Sequence, residues 1–93
     1  MYTEIDRLID LLEIEGIPCE VTDDACGNSM NQVWYPSREE SICDAISHEY
    51  SYGGREGLIE IMGLTENNDD VEGWLYAEQV YYRIRRHYYS NKK

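Results

Sequence analysis

The sequence contains no phenylalanine and only 8 basic residues against 19 acidic ones, which gives a formal net charge of −11. Without phenylalanine, the 9 tyrosines and 2 tryptophans have to supply the aromatic packing. Because a buried tyrosine needs a hydrogen-bond partner for its hydroxyl group, we expect many of these rings at the edge of the core. The 42% hydrophobic content argues against disorder. The chain is long enough for a single domain, residues 1–93.

The chain also lacks long apolar runs and closely spaced cysteines. No stretch reaches the length of a membrane span, and the first residues are amphipathic and acidic, unlike a signal peptide. Cys19, Cys26 and Cys43 make an odd number without tight spacing, so reduced thiols are the simplest interpretation. The sequence therefore predicts a cytoplasmic protein that does not bind membranes.

The charge is distributed unevenly along the chain. Residues 1–78 contain all 19 acidic residues and three arginines, whereas residues 79–93 contain three arginines, two lysines and no acidic residue. Such a negative body is repelled by nucleic acid and by anionic membranes, and it is attracted to basic grooves on proteins. The alternative interpretation is that the acidic residues only keep the protein soluble.

The segment "TEIDRLIDLLEIEGIP" is predicted to be an amphipathic helix. Its apolar residues recur with helical spacing at Ile5, Leu8, Ile9 and Leu12. Thr3 and Asp6 have the spacing of a capping box, and Gly16 followed by Pro18 indicates the end of the helix.

The rest of the chain is predicted to add strands and then two more helices. The segments "IPCEVTDD" and "MNQVWYP" indicate a β-hairpin, and the alternation in "ESICDAIS" indicates a third strand. "GLIEIMGL" is predicted to be a short helix that ends at Gly63, "TENNDDVEG" a polar loop, and residues 74–89 a C-terminal helix. The predicted fold is α+β, in the order α-β-β-β-α-α, with a small antiparallel three-stranded sheet packed against helices.

The C-terminal helix is predicted to have two different faces. One face, with Ala77, Val80, Tyr81, Ile84 and Tyr88, would cover the sheet. The other carries Tyr82, Arg85, Arg86 and Tyr89, which the core does not require. Aromatic and basic residues together are typical of nucleic-acid contacts, but the negative body opposes that use. A protein-binding surface, or a basic helix end that favours the helix dipole, are the alternatives.

Candidate metal ligands are present, but their spacing is loose. The one possible set of soft metal ligands consists of Cys19, Cys26, Cys43 and His48. Structural zinc sites usually contain more closely spaced pairs. Asn68, Asp70 and Glu72 before Gly73 resemble an EF-hand calcium loop. The first position is asparagine, however, and the twelfth is Gln79 rather than glutamate. A zinc- or calcium-binding domain is therefore only a minor alternative, and we expect no cofactor.

Catalytic combinations are equally weak. Asp44, Ser47 and His48 could form a triad only on a helix, and Cys43 with His48 is the remaining nucleophile–base pair. No nucleophile elbow surrounds the serine. We therefore do not expect an enzyme, although a small one remains an alternative.

Small size, strong acidity, many tyrosines and the absence of a catalytic motif hold over the whole chain. In these respects the sequence resembles the acidic inhibitor proteins of phages and mobile elements, including anti-CRISPR proteins that mimic nucleic acid. The resemblance implies an inhibitor that occupies the basic nucleic-acid-binding surface of a partner such as a nuclease, with no direct contact to nucleic acid.

The expected partner contacts are the acidic residues of predicted loops together with the outer face of the C-terminal helix. The acidic contacts are Asp23, Asp24, Glu39, Glu40, Glu66, Asp69, Asp70 and Glu72, and the helix contacts are Tyr82, Arg85, Arg86 and Tyr89. Carboxylates on a rigid surface can replace phosphates, and tyrosines are common binding anchors. The alternative is a self-associating structural or regulatory module, a homodimer anchored by Tyr82 and Tyr89.

Overall fold

The computed structural model describes residues 2–23 and 31–91. Within them the chain forms two α-helices and five β-strands, in the order α-β-β-β-β-β-α. The elements are α1 (Glu4–Glu15), β1 (Glu20–Asp23), β2 (Asn31–Tyr35), β3 (Cys43–Ile46), β4 (Ile59–Met62), β5 (Val71–Leu75) and α2 (Ala77–Asn91). The α+β class is confirmed, whereas the three-stranded sheet and the α-β-β-β-α-α order are wrong.

The ends of α1 are set by the residues that the sequence indicates. The hydroxyl of Thr3 accepts a hydrogen bond from the backbone N–H of Asp6 at 3.2 Å, and the carboxylate of Asp6 accepts one from the N–H of Thr3 at 2.9 Å. Gly16 ends the helix at a φ of 73°, a left-handed conformation that glycine adopts without steric cost. Leu8 and Leu12 are fully buried, so we expect truncation of either to alanine to cost about 2–5 kcal/mol.

The five strands form an antiparallel meander in which each strand pairs with the next one along the chain. The predicted hairpin corresponds to β1 and β2, and the predicted third strand to β3. Val33, Ala45 and Ile61 lie side by side across β2, β3 and β4 and are each 1% exposed. Their alternation with outward-facing neighbours gives the sheet one buried face.

β4 is a strand where the sequence analysis predicted a short helix. Ile59 and Ile61 are buried, while Glu60 and Met62 are more exposed, which is the period of two expected for a strand. Gly63 does not cap a helix but leaves the strand at a φ of 86°. Any Cβ there would lie 2.1 Å from the carbonyl oxygen of Ile42. The local pattern of this short apolar run is compatible with a helix or a strand, and pairing with β3 and β5 selects the strand.

β5 replaces the end of the predicted polar loop and the start of the predicted C-terminal helix. Leu75 pairs with Ile59 and Glu72 pairs with Ile61, so two residue steps on β4 correspond to three on β5. The extra residue forms a β-bulge around Gly73. Consequently α2 begins at Ala77, three residues later than predicted.

Both helices pack on the same face of the sheet. The predicted inner face of α2 is confirmed, because Ala77, Val80 and Ile84 are buried in one core with α1 and the strands. The opposite face, here called the open face, carries Gln32, Trp34, Asp44, Ile46, Glu60 and Met62. Neither described helix combines the length and the apolar character needed to cross a membrane.

Candidate protein-binding surfaces

The meander brings two acidic loops to one end of the sheet. Because successive strands alternate in direction, the β2–β3 connection (36–42) and the β4–β5 connection (63–70) leave the sheet at the same end. With strands about 4.8 Å apart, their centres are separated by about 10 Å. Five exposed acidic residues lie there. Glu66 pairs with arginines of α2, and we call the other four the acidic end: Glu39, Glu40, Asp69 and Asp70.

The four carboxylates of the acidic end form no ion pair in the described part of the chain, and Arg38 of the β2–β3 connection lies over the ring of Trp34, 5.6 Å from its centroid. All ion pairs found among those residues involve other acidic side chains. Two further predicted contacts lie elsewhere. Asp23 is the last residue of β1 and so leaves the sheet at the opposite end, and Asp24 lies outside the described residues. The predicted acidic residues therefore do not form one surface.

Glu66 and Glu72, the remaining predicted acidic contacts, are bound by arginines of α2. Arg83 donates two hydrogen bonds to the carboxylate of Glu72, from Nη1 at 2.7 Å and from Nη2 at 2.9 Å. The side chains of Arg83 and Glu72 are only 10% and 17% exposed. Glu66 lies 3.4 Å from Arg83 and 3.6 Å from Arg86. These contacts fasten the β4–β5 connection to α2.

The geometry of the Arg83–Glu72 pair shifts both groups toward their charged forms. The hydrogen bonds from Arg83 lower the pKa of Glu72, against an opposing effect of burial. Hydrogen bonding to Glu72 likewise raises the pKa of Arg83. A bidentate arginine–carboxylate pair is a strong and directional contact. Glu72 is therefore a structural residue, and it is not free to contact a partner.

The predicted outer face of α2 is exposed, but its arginines already have acidic partners. Tyr82, Arg85, Arg86 and Tyr89 line one shallow depression together with Ser90. Arg85 donates to Glu15 at 3.0 Å and lies over the ring of Tyr89, 5.1 Å from its centroid. A second copy of the chain would have to replace these intramolecular contacts, so the geometry does not favour self-association through this face.

Glu15, at the end of α1, joins the two helices. Its carboxylate accepts hydrogen bonds from the hydroxyl of Tyr81 at 2.6 Å, from Arg85 at 3.0 Å and from the hydroxyl of Tyr89 at 3.0 Å. These donors, above all Tyr81, lower the pKa of Glu15. The same contacts satisfy tyrosine hydroxyls at the edge of the core, where the sequence analysis expected many of the rings.

A stacked pair of aromatic rings lies near the other end of β5. The rings of Tyr52 and Trp74 are 5.7 Å apart between centroids and 6° from parallel. They are 55% and 57% exposed. The backbone N–H of Tyr52 donates to the carboxylate of Glu60 at 3.0 Å, so the pair borders the open face. We call Tyr52 and Trp74 the aromatic platform.

The backbone around the aromatic platform is unusually constrained. Trp74 has a φ of 56°, which is rare for a bulky residue, and its N–H donates to the carbonyl oxygen of Tyr52 at 3.1 Å. A Cβ on Gly73 would lie 2.2 Å from Cβ of Tyr52, and one on Gly53 would lie 2.8 Å from Cα of Trp74. Only glycine at both positions allows this close approach.

The aromatic platform is not predicted from the sequence. The helix predicted for residues 74–89 places Trp74 at a helix start, and no element is predicted for Tyr52. The available signal was the occurrence of Tyr52 directly before Gly53 and of Trp74 directly after Gly73. An exposed aromatic next to a glycine in two distant segments indicates close backbone approach only once β5 is known to be a strand.

The predicted zinc ligands and nucleophiles have structural roles or lie outside the described residues. Burial raises the pKa of Cys43 to about 12, so its thiol stays protonated. The hydroxyl of Ser47 is buried and donates to the carbonyl oxygen of Leu58 at 2.7 Å. Nδ1 of His48 accepts the N–H of Tyr50 at 3.0 Å. Cys26 is not among the described residues.

The EF-hand-like segment does not form a continuous loop before the helix. Residues 71–75 form β5 and residues from 77 onward belong to α2. Glu72, one of the proposed ligands, is bound by Arg83 instead. No group of three or more His, Cys, Asp or Glu side chains in residues 2–23 and 31–91 is placed to hold a metal ion.

One acidic side chain lies partly buried on the open face. The carboxylate of Asp44 accepts a hydrogen bond from the side-chain amide of Gln32 at 3.0 Å. Burial raises the pKa of Asp44 despite this contact. The charged form of Asp44 is therefore disfavoured in the folded protein.

Comparison with known proteins gives no relative for this arrangement. No protein-family model, no curated protein and no solved structure matches the chain.

Proposed function

We propose that this chain is a non-enzymatic binding protein that occupies a basic, nucleic-acid-binding surface of a partner protein. The main contact is the acidic end. The observation that carries the proposal is the presence of four exposed carboxylates at one end of the sheet, none of which has an ion-pair partner in the described residues. A surface of this kind attracts a groove lined by lysine and arginine.

The use of the chain's own cations supports the proposal. Arg7, Arg83, Arg85 and Arg86 all pair with acidic residues outside the acidic end. The chain therefore neutralises some of its carboxylates while it leaves those of the acidic end exposed. Since the net charge is −11, the remaining field is negative and steers basic partners toward the protein.

The rigidity of the acidic end also fits a binding surface. Glu40 lies in a turn in which its backbone N–H donates to the hydroxyl of Ser37 at 3.2 Å. The β4–β5 connection is held by Arg83 and by a hydrogen bond from the N–H of Asp69 to the side chain of Asn67 at 3.0 Å. A backbone that is already ordered loses little conformational freedom on binding, which favours affinity.

The test uses three double variants that each remove two negative charges. Asp69→Asn/Asp70→Asn and Glu39→Gln/Glu40→Gln change the acidic end, and Asp10→Asn/Glu13→Gln changes exposed residues of α1 as the matched control. Each protein is immobilised and exposed to a nucleic-acid-depleted bacterial extract at 50 mM NaCl. Bound proteins are then eluted with a 20-base-pair DNA duplex.

We expect the unaltered protein and the α1 control to retain a basic protein that the duplex elutes. The two acidic-end variants should retain at least fivefold less of it. Retention that is equal for all four proteins, a bound protein that the duplex does not displace, or no retention at all would each contradict the proposal.

A further inference from the structure

The aromatic platform is built in a way that the core of the protein does not require. Trp74 adopts a backbone conformation that bulky residues rarely use, and Gly53 and Gly73 are sterically required beside it. Even so, both rings remain more than half exposed. Unfavourable backbone conformations that persist in a fold are concentrated at functional sites, and exposed Tyr and Trp are the usual anchors of binding surfaces.

The surroundings of the platform are acidic. A shallow depression of about 350 Å³ is lined by Tyr52 and Trp74 together with Glu49, Glu56 and Arg55. Neither carboxylate of this rim has an ion-pair partner in the described part of the chain. The rim thus has more negative than positive side chains, and it belongs to a protein of net charge −11.

We propose that the aromatic platform binds the side chain of an arginine. This inference rests on the proposed function in one respect, namely that a basic partner protein presents the arginine. The guanidinium group is planar, always charged and weakly hydrated, so it stacks on aromatic faces while its N–H groups reach carboxylates. The outer face of the stacked Tyr52–Trp74 pair supplies the stacking surface, and Glu49 and Glu56 lie beside it to receive the charge.

Charge distinguishes arginine from the other ligands that stack on aromatic rings. A nucleobase would bring phosphates toward a strongly negative protein, which is unfavourable. A neutral sugar would stack on the rings but would gain nothing from the acidic rim. Of these three, only the cation uses the aromatic faces and the carboxylates together.

The test follows the indole N–H signals of the two tryptophans by NMR, with Trp34→Phe used to assign them. The probe is a blocked pentapeptide with two arginines among glycines. The matched control peptide contains citrulline, which has the same planar shape but no charge. Tyr52→Leu removes one ring of the platform, and Tyr82→Leu is the control for loss of an exposed tyrosine elsewhere.

We expect the arginine peptide to shift the Trp74 signal in a saturable manner and to leave the Trp34 signal unchanged. The citrulline peptide should bind at least fivefold more weakly. Tyr52→Leu should weaken binding of the arginine peptide by about three- to tenfold, because one cation–π contact is lost. Tyr82→Leu should have no effect. If Tyr52→Leu unfolds the protein, the comparison of the two peptides on the unaltered protein decides alone.

Equal binding of the two peptides, or no shift of the Trp74 signal, would overturn the inference. So would a larger shift with a thymidine tetranucleotide or with a neutral disaccharide. The outcome is separable from that of the proposed function, because Asp69→Asn/Asp70→Asn should reduce capture of the basic protein at least fivefold without changing the peptide titration. Peptide binding without capture of a basic protein would support the arginine site and contradict the proposed function. Capture without peptide binding would support the proposed function and contradict the arginine site.

Discussion

Replacement of Arg83 by methionine should destabilise the protein far more than the same replacement of Arg86. Arg83 makes two hydrogen bonds of 2.7 and 2.9 Å to Glu72 at a site where both side chains are largely buried. Arg86, by contrast, lies 3.6 Å from Glu66 and is 69% exposed. The two variants remove the same charge from the same helix, so they form a matched pair.

The expected magnitudes follow from the burial of the two contacts. Removing one partner of a buried ion pair costs about 3–5 kcal/mol. Because Glu72 keeps some contact with water, we expect Arg83→Met to cost about 2–3 kcal/mol. Loss of the exposed contact in Arg86→Met should cost less than about 0.5 kcal/mol. For a chain of 93 residues, total stability is about 5–14 kcal/mol, so the first change is a large fraction of it.

The assay is urea denaturation followed by far-UV circular dichroism, with Glu72→Met and the double variant completing a mutant cycle. A loss of about 2–3 kcal/mol corresponds to a fall in Tm of roughly 8–24 °C for a domain of this size. The coupling energy between Arg83 and Glu72 should be at least about 1 kcal/mol. If Arg83→Met costs no more than Arg86→Met, or if the coupling is close to zero, the bidentate geometry is not what holds the β4–β5 connection.

Three further predictions concern single groups. Arg83 lowers the pKa of Glu72, so the stabilisation by Glu72 is present above the unfolded carboxyl pKa of about 4.3. It is lost as pH falls through the lower pKa of the folded state. In urea titrations, the difference in stability between the unaltered protein and Glu72→Gln should therefore disappear below about pH 4. Burial raises the pKa of Asp44, so Asp44→Asn should stabilise the protein at pH 7 in urea titrations, and this gain should shrink as pH falls through the folded pKa. Cys43 should resist iodoacetamide at pH 8 in the native protein and react in 6 M urea, because only the thiolate reacts; mass spectrometry follows the labelling. A pH-independent effect of Glu72→Gln or of Asp44→Asn would contradict the pKa shift of that carboxyl group, and labelling of Cys43 in the native protein would contradict its raised pKa.

The parts of the fold that the sequence predicts correctly are those decided by neighbouring residues. The capping box of Thr3 and Asp6 and the left-handed Gly16 are local, and they set the ends of α1 as predicted. The alternation of Cys43 and Ala45 with more exposed neighbours likewise identifies β3 without reference to the rest of the chain.

The two missed strands depend on contacts between distant segments. Ile59 and Ile61 could belong to a short helix or to a strand, and pairing with β3 and β5 selects the strand. In β5, Gly73 and the left-handed Trp74 interrupt the alternation that would indicate a strand. Local propensity gives no information on the bulge that accommodates them, because the bulge exists only opposite β4.

For the candidate surfaces, too, local features can be predicted from the sequence, whereas features that depend on distant contacts cannot. Exposure of Glu39, Glu40, Asp69 and Asp70 follows from their positions in loops, but their common location depends on the strand order. The predicted contact Glu72 became a structural residue because a bulge turns it toward Arg83, a residue eleven positions away on α2. Charge counting along the sequence could not separate carboxylates that have an internal partner from those that do not.

The salt dependence of binding to the captured basic protein tests the central claim most directly. The dissociation constant is measured by calorimetry between 50 and 300 mM NaCl for the unaltered protein, for Glu39→Gln/Glu40→Gln and for Asp10→Asn/Glu13→Gln. Since exposed charges are screened within about 8–10 Å at physiological salt, binding through the acidic end should weaken steeply with salt, and the slope should fall only in the variant of the acidic end. The same slope for all three proteins, or binding that does not respond to salt, would show that these carboxylates are not the contact.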